Sequence, residues 1–363
     1  MRATRLYVSI PKIKANMAKI EKKLGNNTQM MPIIKCNAYG THFDKLTDLI
    51  NQFDYVGVAL VDEGIALREA GYKNNILVLY PPMKEELKAI EKHNLFFNGC
   101  DIEVLEYFNQ NTKKPLAVHI EFETGMGRTG VQVSNINSYI KRLKKLKNIQ
   151  VDGVYSHLSS SSFNAEFTQL QVERFKRVLE ILIEKAVSYK WAHICNSAAV
   201  FNFRASEFNM ARIGLLVYGY YPNEQLKKDI SLEPCMTLKT RVSFIKKISV
   251  GDTVGYNQNF IAEKERMIAT IPFGFGDGLI GLEAGAPEHP YVIIKNSKAK
   301  IIAICTDNMM IDVTDIPNVK TGDEVIIFDN EQLTVEELAK WCNGICNYEI
   351  ISSLSARIPR VFN

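Results

Sequence analysis

Few features of this sequence would suit a secreted, metal-binding or nucleic-acid-binding protein. The 363 residues include only seven cysteines, which are scattered and form no Cys-x-x-Cys pair. Cys342 and Cys346 lie four residues apart, but no histidine cluster stands near them. This distribution argues against a zinc site and a disulfide scaffold, so we expect no metal and a reducing, cytoplasmic compartment. The formal net charge of +4 is too small and too dispersed to predict a nucleic-acid partner.

Long hydrophobic runs are also missing. No segment holds the roughly 18 consecutive apolar residues that a membrane helix needs, and the first residues lack the apolar core of a signal peptide. One basic run, Lys141–Lys147, contains Leu143 and Leu146 at helical spacing, which is typical of the solvated face of an amphipathic helix. Hydrophobic residues make up 46% and charged residues 23% of the chain. We therefore expect a soluble globular protein without a membrane partner.

Short apolar runs alternate with helical patterns over residues 1–225. The first helical pattern follows Pro11 and stops at Gly25, and similar patterns separate the later runs. This alternation indicates a parallel sheet, and a strand number near eight favours a closed (β/α)8 barrel of the TIM type. The predicted strands are Leu6–Ile10, Met31–Lys35, Tyr55–Leu60, Ile76–Tyr80, Leu95–Gly99, Ala117–Glu123, Val151–Ser156, Trp191–Cys195 and Ile213–Tyr218.

The pattern changes after Pro222. Residues Met236–Val250 alternate with a period of two, and a capping box at Thr334–Glu337 begins one helix. We therefore predict an α/β plus β protein, with a barrel over 1–225 and a mainly β domain over 226–363. The first predicted strand is left open to extend from the β domain. The further predicted strands of the second domain are Met267–Ile271, Val292–Ile294, Lys300–Ile304 and Glu324–Phe328.

Several chemically active residues follow predicted barrel strands, where the active sites of such barrels lie. Lys35 ends an apolar run, Arg128 lies in a glycine-rich stretch, and His157 follows a strand. Asn196-Ser197 precedes what we read as the opening of a helix, a place suited to a phosphate, and Arg212 opens the last strand region. Each has an ordinary structural explanation when taken alone. Together, a lysine, a phosphate cradle, two arginines and a histidine are the set expected for pyridoxal phosphate.

Seven short motifs are spread in order along the whole chain. In this order they resemble the alanine racemase family, the fold-type III pyridoxal-phosphate amino-acid racemases, over both predicted domains. As an ordered set they are highly specific. The motifs are Ile34–Gly40, Thr124–Arg128, Asn196–Ala199, Arg212–Gly214, Gly255–Tyr256, Pro272–Gly278 and Arg357–Arg360.

The resemblance implies an isomerase that converts L-alanine to D-alanine with two bases. Lys35 would carry pyridoxal 5'-phosphate and act on one face of the substrate α-carbon, and Tyr256 would act on the other face. Two bases are needed because a single base tends to return the proton to the face it came from. The resemblance links Tyr256 through His157 to Arg212, which would face the pyridine nitrogen. Arginine does not give up its proton in proteins, so that nitrogen stays unprotonated and transamination is suppressed.

The resemblance also implies the remaining contacts. Arg128 and the backbone of Thr306 would bind the substrate carboxylate, with Asp307 adjoining. Family members supply the tyrosine base from a partner subunit, which implies a homodimer with a shared active site and a small amino acid as substrate. The residues implied for the cofactor, besides Lys35 and Arg212, are Tyr39, Asn196, Ser197, Gly214 and Leu215.

Three positions depart from the family pattern. Glu121 stands where many members have a carbamylated lysine, and we expect this glutamate to pair directly with Arg128 or with another nearby cation. Ala356 and Phe275 replace tyrosines that are common in the family, which leaves serine or a broader range as an alternative to alanine.

Three other classes of protein stay open as more remote alternatives. The first is a non-catalytic pyridoxal-phosphate binding protein, against which the second domain argues. The second is a decarboxylase of the same fold class, against which Arg212 argues. The third is an unrelated barrel enzyme that uses Lys35 as a Schiff base without a cofactor.

Overall fold

The computed structural model describes residues 2–201, 208–279, 281–282, 284, 289–342 and 345–363. The chain divides into two compact units, which we call the barrel unit and the β unit. The barrel unit consists of Ile13–Ala38 and Phe43–Glu233. The β unit consists of Met1–Lys12, Tyr39–His42 and Pro234–Asn363.

The secondary structure is numbered in chain order. The strands are β1 Arg5–Val8, β2 Gln29–Pro32, β3 Tyr55–Val58, β4 Asn75–Val78, β5 Phe96–Asn98, β6 Leu116–Glu123, β7 Val131–Gln132, β8 Ile149–Tyr155, β9 Trp191–His193, β10 Met210–Ile213, β11 Met236–Arg241, β12 Phe244–Ile248, β13 Thr253–Val254, β14 Phe260–Ile261, β15 Arg266–Ile271, β16 Tyr291–Ile294, β17 Ser297–Ile304, β18 Met309–Asp312, β19 Glu324–Phe328 and β20 Arg360–Phe362. The helices are α1 Ile10–Leu24, α2 Lys35–Tyr39, α3 Thr47–Ile50, α4 Val61–Glu69, α5 Leu87–His93, α6 Ile102–Asn111, α7 Ile136–Leu143, α8 Ala165–Glu184, α9 Val335–Lys340 and α10 Asn347–Ser353.

Parallel strands form the core of the barrel unit. Strands β3, β4, β5, β6, β8 and β9 pair in this order, and β10 pairs with β2. Backbone hydrogen bonds connect the segment of β2 to β3, from Ile34 N–H to Gly57. Two more connect the segments of β9 and β10, from Asn209 N–H to Ala192 and from Arg212 N–H to Cys195. The ring of parallel strands is thereby closed, and the predicted (β/α)8 barrel is confirmed. Strands such as β3 are buried at every residue because the barrel interior covers one face and the helices cover the other.

The β unit is built on one long, mostly antiparallel sheet. Within the described residues its strand order is β12-β15-β18-β17-β16-β19-β11-β1-β20. The expected mainly β second domain is therefore confirmed. The first strand, β1, lies in this sheet between β11 and β20, in antiparallel and parallel register respectively. The continuous pattern predicted over 236–250 is two strands, β11 and β12, which are not neighbours in the sheet.

The strand predicted to end at Lys35 stops earlier. Strand β2 ends at Pro32, and Lys35 begins a short turn in which Cys36, Asn37 and Ala38 have φ of 52°, 51° and 57°. A left-handed conformation costs roughly 1–2 kcal/mol for each residue that has a side chain. The prediction of a strand through Lys35 was therefore wrong. It arose because the spacing of apolar residues in the sequence carries no signal for a left-handed turn.

The strand predicted at Ile213–Tyr218 is also wrong. The strand is β10, which contains Arg212 and ends at Ile213; a 3-10 helix then covers Leu215–Tyr218. The bond from Val217 N–H to the carbonyl of Gly214 closes the first turn of this helix. A continuous apolar run is compatible with either conformation, because both are fully buried here.

The predictions about membranes, metals and disulfides can be compared with the described residues. Among the described residues, no helix has the length and apolar character needed to cross a membrane. The same residues hold no group of three or more histidine, cysteine or acidic side chains arranged to bind a metal ion. None of the seven cysteines, all of which lie within the described residues, is in a disulfide. Helix α7 ends at Leu143 and buries Ile140 and Leu143. Only the first three residues of the basic run are therefore helical, and Leu146 is buried beyond the end of the helix, so the predicted helix across the whole run was wrong in extent.

Candidate active site

Lys35 lies on the left-handed turn that follows β2. The carboxylate of Glu63 accepts a hydrogen bond from the Cys36 N–H at 2.6 Å. Its other oxygen accepts from the N–H groups of Ala59 and Leu60 at 2.7 and 3.2 Å. Glu63 therefore ties the turn that carries Lys35 to the loop after β3. Glu63 was not predicted as a site residue. Its place near the start of helix α4 is a position where glutamate often caps a helix.

Arg212 is buried on β10, and its terminal nitrogens are fully used. Nη1 donates to Nδ1 and to the carbonyl of His193 at 2.7 and 3.2 Å. Nη2 donates to the carbonyls of Ser156 and Ile194 at 2.7 and 3.2 Å, and Nδ1 of His157 lies 3.3 Å from it. The Nε–H group has no acceptor among the described residues. Arg212 thus has one donor left for a ligand.

His157 is neutral in this environment. Burial and the positive charges of Arg212, Arg128 and Lys35 hold the pKa of His157 well below its ordinary value. Arginine can only donate, so Nδ1 of His157 is the acceptor and its proton lies on Nε2. The three cations that act on this histidine are the lysine and the two arginines singled out from the sequence, which the barrel unit therefore brings near one another.

Arg128 is paired with Glu121. Oε1 of Glu121 lies 3.6 Å from Nη2 of Arg128. Oε2 accepts from Nδ2 of Asn98 at 2.7 Å and from Oγ1 of Thr129 at 2.6 Å, and the hydroxyl of Tyr155 lies 3.4 Å from it. The Glu121 side chain is only 2% exposed. Since one oxygen is fixed by neutral donors, the other is held facing the guanidinium.

A second glutamate shapes the loop before Arg128. The carboxylate of Glu123 accepts hydrogen bonds from the three consecutive N–H groups of residues 125–127, those from Met126 and Gly127 at 2.6 and 2.7 Å. The guanidinium of Arg128 lies 5.5 Å from the ring centre of Tyr80. Glu123 therefore organises the turn that carries Arg128. It was missed because a glutamate ending a strand gives no distinct signal.

The expected phosphate cradle contains Ser197 and Gly214 in contact. The N–H of Gly214 donates to Oγ of Ser197 at 3.0 Å. Oδ1 of Asn196 accepts from the N–H groups of Ala198 and Ala199 at 3.1 Å. Within the described residues a turn follows Asn196 instead of the predicted helix. Leu215 begins the 3-10 helix that follows Gly214.

The remaining predicted residues, Tyr39, Tyr256, Thr306 and Asp307, lie in the β unit. Tyr256 is 69% exposed and opens a short turn after Gly255. Tyr39 is the last residue of the left-handed turn, with φ of 51°.

Arg357 organises the loop that contains Thr306 and Asp307. Its Nη1 donates to Asp307 at 2.8 Å and its Nη2 to the carbonyl of Thr306 at 3.4 Å. Its Nε donates at 2.7 Å to the fully buried carboxylate of Asp277, which also accepts from Arg2 at 2.5 Å. The Thr306 loop is therefore anchored by a charge cluster of the β unit that is centred on the buried Asp277.

The fold and the site together define a (β/α)8 barrel enzyme with a lysine-centred site and a mainly β second unit. The family model for the alanine racemase N-terminal domain matches residues 8–222, and that for the alanine racemase C-terminal domain matches residues 235–362. The chain therefore belongs to the alanine racemase family, and the resemblance inferred from the sequence is confirmed.

Individual relatives agree over nearly full length. Alanine racemase 1 of Clostridium acetobutylicum is 33% identical over 98% of this chain and 94% of its own. Alanine racemase 2 of Caldanaerobacter subterraneus subsp. tengcongensis is 30% identical over 100% of this chain and 95% of its own. The structure of the alanine racemase of Clostridium difficile 630 superposes with a TM-score of 0.93 at 28% identity, covering 100% of this chain and 96% of that one.

Proposed function

We propose that this protein is a pyridoxal-phosphate-dependent racemase that interconverts L- and D-alanine by proton transfer between two bases. The observation that carries the proposal is the donor set of Arg212. Its four terminal N–H groups are directed at protein acceptors, and in the described part of the chain only its Nε–H is left for a ligand. The family membership of the chain and the names of its relatives support alanine as the substrate.

The residues present fit pyridoxal phosphate. The single remaining donor of Arg212 suits an acceptor-only ring nitrogen. Because Ser197 Oγ accepts from Gly214 N–H, its own proton is left to donate to a phosphate oxygen. Asn196, the backbone at Leu215 and Tyr39 would complete the phosphate contacts, and the amine of Lys35 would hold the cofactor covalently. When bound, the cofactor withdraws electrons from the substrate α-carbon and so acidifies the α-proton.

The two bases are Lys35 and Tyr256. The amine of Lys35 takes or returns the proton on one face of the α-carbon, and the phenol of Tyr256 does so on the other. His157 links Tyr256 to Arg212: its Nδ1 faces Arg212, and its Nε2–H is left to donate to the phenol oxygen. Arg212 keeps its proton, so it leaves the ring nitrogen uncharged and favours return of the proton to the α-carbon.

The substrate carboxylate binds to Arg128 and to the N–H of Thr306. Glu121 holds the guanidinium of Arg128 through its own fixed carboxylate, where many family members use a carbamylated lysine. Asp307 steadies the Thr306 loop through Arg357. No bicarbonate is needed for this arrangement.

The functional protein is a homodimer in the cytoplasm. The high exposure of Tyr256 leaves this base available to the active site of a partner subunit, so each site takes its lysine from one chain and its tyrosine from the other. The lack of a disulfide among the seven cysteines, all of them described, favours a reducing compartment. Dilution to the monomer should abolish turnover while cofactor remains bound, and an active monomer would contradict the shared site.

Serine is the second candidate substrate. Ala356 replaces a tyrosine common in the family, and it is exposed. The missing ring leaves room beside the substrate side chain, and a pocket discriminates one added group by only about 1–3 kcal/mol. Rates with L-alanine, L-serine and L-lysine under one condition decide between narrow and broad specificity.

The decisive experiment follows the α-proton in D₂O. Purified protein with cofactor and L-alanine should yield both enantiomers carrying deuterium at the α-carbon, and borohydride reduction followed by peptide mapping should place the cofactor on Lys35. Lys35→Ala should lose both results, whereas the exposed control Lys19→Ala should keep them. Loss of carbon dioxide without racemised alanine would identify a decarboxylase, and absence of any exchange would refute the proposal.

A further inference from the structure

A file of hydrogen-bonded polar side chains leads from the buried Arg212 through the buried His193 and His119 to Asp152, which is partly exposed and lies in the middle of strand β8. Arg212 Nη1 lies 2.7 Å from Nδ1 of His193, and Nε2 of His193 lies 2.8 Å from Nδ1 of His119. Nε2 of His119 lies 3.2 Å from Oδ2 of Asp152, which also accepts from the hydroxyl of Tyr55. None of the residues beyond Arg212 has a place in the reaction proposed above.

The two ends of this file determine the direction of every hydrogen bond in it. Arginine can only donate and an ionised carboxylate can only accept. His193 must therefore accept at Nδ1 and carry its proton on Nε2, and His119 must do the same. Each imidazole is then neutral and donates toward Asp152. A reversed His193 would place its own N–H against the N–H of Arg212.

The protonation states agree with this direction. Burial holds the pKa of His119 below its ordinary value, although Asp152 opposes the effect. Burial, Arg212 and His119 hold the pKa of His193 well below it. Burial raises the pKa of Asp152, but the hydrogen bonds from His119 and Tyr55 outweigh it, so the net shift is downward and the carboxylate stays ionised. The contact between His119 and Asp152 is therefore a hydrogen bond from a neutral ring.

The backbone is shaped to admit His119. The register between β6 and β8 shifts between Val118 and His119, and such a bulge redirects the side chain that follows it. A Cβ on Gly153 would lie 2.3 Å from Nδ1 of His119, so only glycine leaves room for the ring. The ring of Tyr155 stacks on His193 at 4.9 Å and 5°. Both imidazoles are thus fixed in place as well as in direction.

We propose that Asp152 and His119 are positioning residues that, through His193, hold Arg212 with its Nε–H directed at the cofactor. The inference rests on the function proposed for Arg212. The carboxylate of Asp152 is the terminal acceptor and holds the proton of His119 on Nε2. The bare Nδ1 of His119 in turn holds the proton of His193 on Nε2, and the bare Nδ1 of His193 remains as the acceptor for Arg212 Nη1. When this order fails, Arg212 turns, the ring nitrogen loses its partner, and racemisation slows while transamination increases.

Nitrogen-15 NMR of the histidine rings tests the direction of the file. In the holoenzyme at pH 8, labelled His119 and His193 should both show a protonated Nε2 and a bare Nδ1, with signals assigned from single His119→Gln and His193→Gln variants. A proton on Nδ1 of either ring, or a doubly protonated ring, overturns the proposal. This result does not depend on turnover, so an enzyme that fails to racemise alanine would refute the proposed function and leave the measurement standing.

Substitutions at Asp152 test the consequence. Asp152→Ala should mix the tautomers of His119, lower kcat about tenfold with KM little changed, and raise the rate of transamination. Asp152→Asn keeps an acceptor oxygen, so His119 and His193 should each keep the proton on Nε2, and kcat should stay within about threefold of the wild-type value. Tyr55→Phe is the matched control, because it removes the other donor to the same oxygen but leaves the acceptor, and it should behave like the wild type.

A second break in the file guards against a purely local effect. His119→Leu removes the link while Asp152 remains, so it should lower kcat and raise transamination in the same way as Asp152→Ala. A fully active His119→Leu enzyme overturns the proposal. So does an Asp152→Asn enzyme as impaired as Asp152→Ala, because the loss would then follow the charge and not the acceptor.

Discussion

Replacing Glu121 by glutamine should weaken substrate binding without slowing the chemical step. Oε1 of Glu121 lies 3.6 Å from Nη2 of Arg128, and Oε2 is occupied by Asn98 and Thr129. A glutamine would keep its oxygen for these two donors and turn its NH₂ group toward the guanidinium. An attractive contact is then replaced by two facing donors, and Arg128 loses its fixed orientation.

The size of the effect follows from the ion pair. Two unit charges at this separation attract by about 4–5 kcal/mol at an effective dielectric constant of about 20. The Arg128 side chain is 30% exposed, so water screens the pair and about 1–2 kcal/mol remains to orient the guanidinium. We therefore expect Glu121→Gln to raise KM for L-alanine about tenfold, since about 1.4 kcal/mol corresponds to that factor.

Initial rates over a range of L-alanine concentrations, with D-alanine detected by D-amino-acid oxidase, give kcat and KM separately. The control Glu106→Gln removes an exposed ion pair with Arg142 and should change neither constant. Glu121→Lys adds a second test, because its KM should depend on bicarbonate if a carbamate can replace the glutamate. An unchanged KM in Glu121→Gln would refute the role assigned to the pairing.

Three further predictions concern the second base, pH and the β unit. Tyr256→Phe should slow proton removal from one enantiomer of alanine by at least about 100-fold, while exchange from the other enantiomer persists. The loss of α-deuterium from each labelled enantiomer measures this difference. Equal effects on both enantiomers would contradict a two-base mechanism. The depressed pKa values of His119, His157 and His193 keep these rings neutral in the folded protein, so the unfolded chain binds more protons below about pH 6.5. The free energy of unfolding should therefore fall as the pH drops from 7.5 to 5.5, by up to about 1.4 kcal/mol per histidine and pH unit. Urea titrations that showed no such dependence on pH would refute this prediction. Asp277→Asn should reduce that free energy by about 2–3 kcal/mol, because a buried carboxylate that faces two arginines is lost, with Asp229→Asn on the surface as the control.

The sequence was most informative where a motif is contiguous. Lys35, Arg128 and Arg212 were all found from short motifs, and the structure places their three charges around His157. The conformation around Lys35 was not found, because the left-handed turn at Cys36–Ala38 depends on tertiary contacts such as the Glu63 hydrogen bond. Local preference alone disfavours that backbone.

Residues that act through others were missed for a different reason. His119 and His193 lie inside buried strands, where a lone histidine is usually a satisfied core residue. Their partners, Arg212 and Asp152, are far away in sequence, so no local pattern joins them. Only a fold that sets β6, β8, β9 and β10 side by side brings the four together.

The position of β1 has a consequence for how the chain is made. Its four residues precede every other described strand in the chain, yet its neighbours are β11 and β20, and β20 follows every other described strand. The barrel unit can acquire its ring of strands while β1 waits unpaired. Until β20 emerges, β1 can pair on one side only, which exposes an edge to other nascent chains. Completion of the large sheet is thereby deferred until β20, the last of the described strands, has been translated.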